Sequence, residues 1–251
     1  MRTSDVAASD QPALIDIQAL TKRFGAFTAV DTVSFQVRRG EVLGLLGPNG
    51  AGKSTTLRML TGYLPATAGT ARILDHDVHT DTAAARQDLG YLPERAPAYP
   101  EMPVEGFLRL CGRVRGFSGS ELADRVDRAL DLTMLQAVRF QAVETLSKGY
   151  KRRTGLAGAL LHDPSVLVLD DPAAGLDLTQ RIGMRRLIQS IAPDKAIVIS
   201  THSQEEVAAV CTRAIILAGG RIVADARPRD LPGWHPSGQL DDVFQAVTGL
   251  R

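Results

Sequence analysis

Nine consecutive residues near the start of the chain have the types and spacing that can hold a chain of phosphates. They fit the pattern G-x-x-x-x-G-K-[ST] and are Gly47, Pro48, Asn49, Gly50, Ala51, Gly52, Lys53, Ser54 and Thr55. The glycines let successive backbone N–H groups point at phosphate oxygens, and a helix that begins near Lys53 adds the positive end of its dipole. We therefore expect Lys53 to contact the β- and γ-phosphates and the Ser54 hydroxyl to ligate Mg²⁺.

Two adjacent acids are candidates for the other half of such a site. Asp170 and Asp171 follow the apolar run Val166–Leu169 and precede Pro172. Ligands of open α/β sheets bind at the carboxyl ends of the strands, so acids there face the ligand. Asp170 is predicted to hold Mg²⁺ through water, and Asp171 to position or deprotonate the attacking water. The alternative is that the two acids only cap the turn at Pro172.

The elements that must position these motifs can be read from the apolar pattern. Val42–Leu46 is a continuous apolar run, typical of a central parallel strand, and a helical pattern runs from Lys53 to about Leu64. A strand before the loop and a helix after it favour nucleotide binding over a glycine turn with an accidental lysine. Further strands are predicted at 14–20, 33–37, 90–92, 166–169 and 197–199, a helix at 180–191, a hairpin at 215–224 and a short helix at 240–247.

Residues from Pro103 to about Leu161 show only a helical pattern. Leu122, Val126 and Leu130 recur every four residues, and Ser118–Glu121 has the spacing of a capping box. Strands alternating with helices on either side predict an α/β domain, into which this helical block is inserted. The predicted organisation is a disordered tail at 1–13 and one domain at 14–247, with the helical subdomain at about 95–160.

The composition is that of a globular chain and argues against several classes of protein. The 251 residues are 44% hydrophobic and 23% charged with mean hydropathy −0.03, which disfavours a disordered or fibrous chain. Lys+Arg 29 against Asp+Glu 28 gives a net charge of +1, without the basic field of a nucleic-acid binder. Cys111 and Cys211 form neither a disulfide framework nor a zinc pattern. No signal peptide or apolar run of about 18 residues is evident, so the chain is not expected to span a membrane.

One further segment is specific to a family. Leu146-Ser147-Lys148-Gly149-Tyr150 is similar to the signature Leu-Ser-Gly-Gly-Gln, with lysine third and tyrosine fifth. With the motifs above, the sequence from about Leu14 to Val247 resembles the ATP-binding subunit of an ABC transporter. The resemblance implies an α/β P-loop NTPase fold with a mostly parallel central sheet, an N-terminal antiparallel β subdomain and an inserted helical subdomain. It implies ATP and Mg²⁺ as cofactors.

The resemblance also assigns roles to individual residues. Ser147 is expected to cap a helix, and Gly149 allows close backbone approach; in the family this motif contacts ATP bound to a partner cassette. Segment 174–177 resembles the loop that crosses the dimer interface. His202 resembles the switch histidine at the γ-phosphate, and Phe24 the aromatic ring that stacks on adenine. A structural histidine and a core phenylalanine are the alternatives.

Two positions depart from the family pattern. Asp171 stands where the family has a catalytic glutamate, and it is shorter by about 1.5 Å. Because a misplacement of about 1 Å can cost on the order of 10²-fold in rate, slow hydrolysis in a clamp dominated by ATP binding is an alternative. Glu94 stands where many relatives have glutamine. It is expected to act at the catalytic site and can still ligate Mg²⁺, but it adds negative charge near the triphosphate.

Two other patterns suggest chemistry without supporting it. Segment 75–79, with two aspartates and two histidines, has no fixed metal-binding geometry. The basic run at Lys148, Lys151, Arg152 and Arg153 is interpreted as a solvated helix face that also belongs to the signature helix.

These expectations describe an ATPase on the cytoplasmic face of the cell membrane. ATP would join it to a second cassette, an identical one being favoured, and the pair would drive a separate polytopic permease. Segments 91–102 and 146–149 resemble those of exporter and gliding-motility cassettes. No nucleic-acid partner is expected. The rival is a soluble ABC protein acting on ribosomes or DNA, but such relatives carry two cassettes or a long coiled-coil insertion.

Overall fold

The elements are described from a computed structural model that covers residues 2–3, 12–95, 99–234 and 240–249. The strands are β1 (Arg2–Thr3), β2 (Ala13–Phe24), β3 (Phe27–Arg38), β4 (Val42–Leu46), β5 (Ala68–Ile73), β6 (His76–Asp77), β7 (Leu89–Leu92), β8 (Val166–Asp170), β9 (Ala196–Thr201), β10 (Arg213–Ala218) and β11 (Arg221–Ala226). The α-helices are α1 (Lys53–Leu60), α2 (Thr82–Gln87), α3 (Val104–Val114), α4 (Gly119–Leu132), α5 (Lys148–Leu160), α6 (Leu178–Ile191), α7 (Gln204–Val210) and α8 (Leu240–Thr248). Short 3₁₀ helices lie at Gln136–Val138, Val143–Thr145, Ala192–Asp194 and Pro228–Trp234.

Within these ranges, seven strands form a mostly parallel sheet in the order β1-β11-β10-β4-β9-β8-β7. Only the β10–β11 pair is antiparallel, and its hairpin turns on Gly219 and Gly220, whose φ angles are 54° and 79°. Such positive φ values suit a two-residue turn of glycines. The strands β4, β8 and β9 are buried along their whole length, as their continuous apolar runs predict.

The second sheet is antiparallel, in the order β3-β2-β5-β6. Its apolar side chains share a core with α1 and one face of the main sheet, including Val166 and Val168. Leu167 and Leu169 point to the other face, where they pack with residues of α5 and α6. The α/β fold with an N-terminal antiparallel sheet, predicted from the sequence, is confirmed.

Helices α3, α4 and α5 follow β7 and precede β8, and they have a core of their own. Leu122, Val126 and Leu130 are all buried in it, as the four-residue repeat predicts. The predicted capping box at Ser118 is wrong: Ser118 is the N-cap of α4, but its side chain makes no capping hydrogen bond.

The ends of the chain add little to the sheet. Arg2–Thr3 pairs in parallel with β11, where the sequence predicts a disordered tail, and residues 4–11 of that tail lie outside the described residues. In the described ranges, no helix has the length and apolar character needed to cross a membrane.

Candidate functional site

The phosphate-binding loop runs from the end of β4 to the start of α1, along the edge where β4, β8 and β9 end. At two positions of the loop, only glycine fits, because the surrounding backbone leaves no room for a Cβ atom. A Cβ atom at Gly47 would collide with the carbonyl oxygen of Leu217, and one at Gly52 would lie 2.5 Å from that of Ala29. Gly52 is also the N-cap of α1 with φ 102°, which suits glycine. The loop is thus packed closely against the β10–β11 hairpin and β3.

The Lys53 ammonium lies inside the curve of the loop. It donates to the carbonyl oxygens of Gly47 and Pro48, at 2.6 and 3.0 Å. Burial lowers the pKa of Lys53, and the carboxylates of Asp171 and Asp170 oppose this shift. A cation held here, next to two acids, is placed to receive an anionic ligand.

Asp170 is the most enclosed acid of the site, at 3% exposed. Its Oδ1 accepts hydrogen bonds from Ser54 Oγ at 3.1 Å and from Ser200 Oγ at 2.5 Å. A carboxylate beside a serine hydroxyl offers the oxygen donors that Mg²⁺ prefers, with phosphates and water completing its shell. The donor set therefore fits the predicted metal. Ser200 is a residue that sequence reasoning missed.

Asp171 has an unusual backbone, with φ +48°. Its N–H donates to the carbonyl oxygen and to Oγ of Ser200, both at 3.1 Å. Its Oδ2 lies 3.2 Å from His202 Nδ1, at the end of the adjacent strand. Strained backbones of this kind cluster at functional sites, where surrounding contacts hold them.

A buried acid supports the backbone on the other side of His202. Glu206 Oε2 accepts from Thr201 Oγ1 at 3.1 Å, and Thr201 Oγ1 accepts from the N–H of Ser203 at 3.0 Å. Burial raises the pKa of Glu206. Both neighbours of the histidine are therefore fixed, while its ring faces outward.

The prediction that the basic run forms a solvated helix face is wrong for Arg152, which is buried. The residue is only 5% exposed, and its guanidinium lies between the segments that follow β7 and β8. Nη1 donates to the carbonyls of Pro93 and Glu94, each at 2.6 Å. Nη2 donates to the carbonyl of Asp170 and to that of Asp171 at 2.9 Å, and Nε to that of Pro172 at 3.3 Å.

One cavity of about 310 Å³ collects most of the predicted residues. Its lining includes Asn49, Gly50, Ala51, Gly52, Lys53, Ser54, Thr55, Glu94, Asp170, Asp171 and His202. Phe24 and Phe27 also line it; they pair across the β2–β3 hairpin and are 50% and 63% exposed. Phe24 is thus not a core aromatic, and Phe27 is a second exposed ring that sequence reasoning missed.

Ser147 and Gly149 are not among the residues that line this cavity. Ser147 caps α5, with its side chain accepting from the N–H of Tyr150 at 3.4 Å. A Cβ atom at Gly149 would lie 2.5 Å from the side chain of Gln180, which completes a capping box with Asp177 at the start of α6. The signature segment therefore packs against the start of α6, directly after loop 174–177 of its own chain.

Segment 75–79 contains the short strand β6 and the beginning of the turn that follows it. Asp77 Oδ1 accepts from the N–H groups of His79 and Thr80, and His76 Nδ1 lies 2.5 Å from Asp81 Oδ2. In the part of the chain that the structure describes, no group of three or more His, Cys, Asp or Glu side chains is arranged to hold a metal ion.

A second cavity, of about 380 Å³, opens between β7, α3 and α5. Its exposed rim includes Tyr63, Tyr99 and Val114, at 70%, 61% and 80% exposed, and Arg86 and Arg115 also line it. We call this feature the α3–α5 groove. Such a concentration of exposed apolar surface is typical of a protein-binding site.

Comparison with known proteins places the chain among relatives of one kind. The sequence model described as "ABC transporter" matches residues 30–174. The chain is 37% identical over 230 residues to "Probable multidrug ABC transporter ATP-binding protein YbhF" of Escherichia coli (strain K12), covering 91% of this chain and 40% of that protein. It is 36% identical over 219 residues to "Nod factor export ATP-binding protein I" of Ralstonia nicotianae, covering 87% and 68%.

A solved structure described as "Structure of ATP binding subunit of ABC transporter" has the same fold. It matches with TM-score 0.83 and 27% identity, over 94% of this chain and 99% of that chain. The chain spans about 40% of the length of the first relative named above.

Proposed function

The chain belongs to the ABC transporter family as an ATP-binding domain with the family's ATPase fold, and from that premise we propose that it binds MgATP, dimerises around it and drives a separate membrane permease. The observation that carries the proposal is the cavity that joins the Gly47–Thr55 loop to Asp170, Asp171 and His202. Residues from three separate segments meet there, at the carboxyl ends of the parallel strands β4, β8 and β9.

Nucleotide binding follows from the chemistry of the cavity. The loop amides and Lys53 bind the phosphates, and the exposed rings of Phe24 and Phe27 offer flat surfaces for the base. Ser54, Asp170 and Glu94, which all line the cavity, would hold Mg²⁺. When bound, the ion neutralises charge that develops on the β- and γ-phosphates.

We assign the hydrolysis step to Asp171 and His202. Asp171 Oδ2 accepts the proton of the attacking water, and His202 lies close enough to orient that carboxylate or contact the γ-phosphate. Ser200 holds the backbone of Asp171 in place during this step. A weakly hydrolysing clamp is the second candidate, and the short Asp171 side chain favours it.

Dimerisation is proposed because the site is incomplete in a single chain. The signature residues Ser147 and Gly149 lie away from the cavity, so a second cassette would have to supply them across a head-to-tail interface. We propose two identical cassettes. Asp171→Asn with ATP and without Mg²⁺ should elute from a sizing column as a dimer, and the additional change Lys53→Ala should return it to a monomer. A monomer at saturating ATP would count against the sandwich.

The proposed permease partner docks at the α3–α5 groove. The groove offers exposed apolar surface between the nucleotide-linked β7 segment and the helical block. Docking there would place the chain on the cytoplasmic face of the membrane. The multidrug and Nod factor export relatives favour export as the direction.

Fractionation separates this proposal from a soluble protein that acts on ribosomes or DNA. The chain should sediment with membranes only when its permease is co-expressed, and Val114→Asp in the groove should release it. Sedimentation with ribosomes or retention on DNA, unaffected by Val114→Asp, would favour the rival.

A further inference from the structure

A single buried guanidinium joins two segments that follow the paired strands β7 and β8 and that both contribute residues to the nucleotide cavity. Arg152 donates to Pro93 and Glu94 on one side and to Asp170, Asp171 and Pro172 on the other. All five acceptors are backbone carbonyls, so the contacts fix the course of the chain rather than individual side chains. The residue itself lies on α5, the helix capped by Ser147.

The link matters most at Asp171, whose left-handed backbone needs support. Ser200 accepts from its N–H, and Arg152 donates to its carbonyl oxygen at 2.9 Å. The peptide groups on both sides of the acid are therefore held, and with them the direction of its side chain toward His202. The carboxylates of Asp171, Asp170 and Glu94 oppose the lowering of the Arg152 pKa by burial, which keeps the guanidinium charged.

We infer that Arg152 is a positioning residue that holds Asp171 and the Glu94 segment in fixed relation at the edge of the cavity. This inference rests on the proposed ATPase function and adds a residue to it. Arg152 also connects α5 directly to Asp171, because a shift of α5 moves the guanidinium. Lysine cannot replace this link, since its compact ammonium lacks the planar fork that spans two segments.

The first test separates rate from affinity. Arg152→Lys and Arg152→Gln should lower kcat by tenfold to about a hundredfold, the order expected for a misplacement of about 1 Å. Binding of labelled ATP should change less than about threefold, because Lys53 and the loop are untouched. Arg128→Gln is the control: Arg128 is an exposed arginine on α4, does not line the nucleotide cavity and should keep the native kcat.

The second test does not depend on turnover. In hydrogen-exchange mass spectrometry, Arg152→Lys should increase exchange in peptides covering residues 91–95 and 169–173 together, whereas Arg128→Gln should not. If Arg152→Gln fails to fold, Arg152→Lys decides both tests. A native chain that hydrolyses no ATP would remove the proposed function, and the exchange result would still decide whether Arg152 joins the two segments.

Native kcat in Arg152→Lys, or exchange that rises in neither segment, would overturn the inference. A parallel loss of kcat, ATP affinity and melting temperature in Arg152→Lys would also overturn it, because it would show a role in general stability.

Discussion

His202 Nδ1 and Asp171 Oδ2 lie 3.2 Å apart, and the two residues directly follow the neighbouring strands β9 and β8 of the main sheet. The Asp171 side chain is 21% exposed and that of His202 is 66% exposed, so the acid is the more enclosed of the two. An imidazole at this distance can fix the orientation of the carboxylate. The pair therefore offers a way for a short acid to be held toward a bound phosphate.

Asp171→Asn tests the role of that acid. If Asp171 accepts the proton of water, the substitution should lower kcat by about 10²-fold or more, because general-base catalysis contributes on that order. ATP affinity should remain within a few-fold. Steady-state phosphate release measures kcat, and equilibrium binding of labelled ATP measures the affinity.

Asp171→Glu is the matched control for length. A rate above that of the native chain would show that the shorter acid limits hydrolysis. An unchanged rate in Asp171→Asn would show that the proton acceptor is another group.

Lys53→Ala should abolish detectable nucleotide binding. The substitution removes a side-chain cation that donates into the loop, and charge-assisted contacts to phosphate are among the strongest hydrogen bonds in proteins. Equilibrium binding of labelled ATP measures the loss, and Lys151→Ala, whose Nζ donates to the Glu144 carbonyl, serves as control. Retained affinity in Lys53→Ala would contradict the site.

Phe24→Ala and Phe27→Ala should each weaken ATP binding, because stacking on an aromatic ring contributes about 1–3 kcal/mol per base. That corresponds to a loss of between fivefold and a hundredfold or more in affinity. Phe24→Tyr should keep the native affinity. Competition by inorganic triphosphate should not change in any variant, and if it did, the rings would act on the loop and not on the base.

Glu105→Gln should destabilise the helical block at neutral pH. Glu105 accepts from Arg139 Nε and Arg109 Nε, both at 2.7 Å, and these contacts lower its pKa to about 2. Hydrogen bonds to charged groups contribute about 1.5–3 kcal/mol. Thermal unfolding of Glu105→Gln at pH 7 should therefore occur a few degrees below that of the native chain.

The sign of the pH dependence follows from a lowered pKa. The stabilisation that Glu105 contributes is complete above its unfolded-state pKa of 4.5. It is lost as the pH falls toward the folded-state pKa of about 2. The gap in melting temperature between the native chain and Glu105→Gln should accordingly close below pH 4.5. A gap that stays constant over that range would mean that the carboxylate charge contributes nothing.

Long apolar runs made much of the fold predictable. The buried strands β4, β8 and β9 and the repeat on α4 follow directly from their patterns. The strand β5 was not predicted, because only Ala71 and Ile73 of its six residues are buried. Capping was predicted at Ser118, where the side chain is unused, and the capping box of Asp177 and Gln180 was overlooked.

At the site, the sequence indicated residues that lie within motifs and missed those that act from outside them. Ser200 and Phe27 become part of the cavity only through strand pairing, which no local pattern displays. Arg152 was misread because a run of basic residues usually faces water. Its burial depends on two distant loops that supply five carbonyls, and a charged side chain carries no sign of such partners.

The packing behind the phosphate loop affects both the rate of ligand binding and the conformational entropy lost on binding. Gly220 N–H donates to the Ala51 carbonyl at 3.2 Å and the Asp31 N–H to that of Gly220 at 2.8 Å, so a hairpin and a strand hold the loop from behind. A loop that is supported from behind in this way should lose little conformational entropy when a ligand binds. Its encounter with nucleotide should then be limited by diffusion and by release of water, without a slow folding step of the receptor.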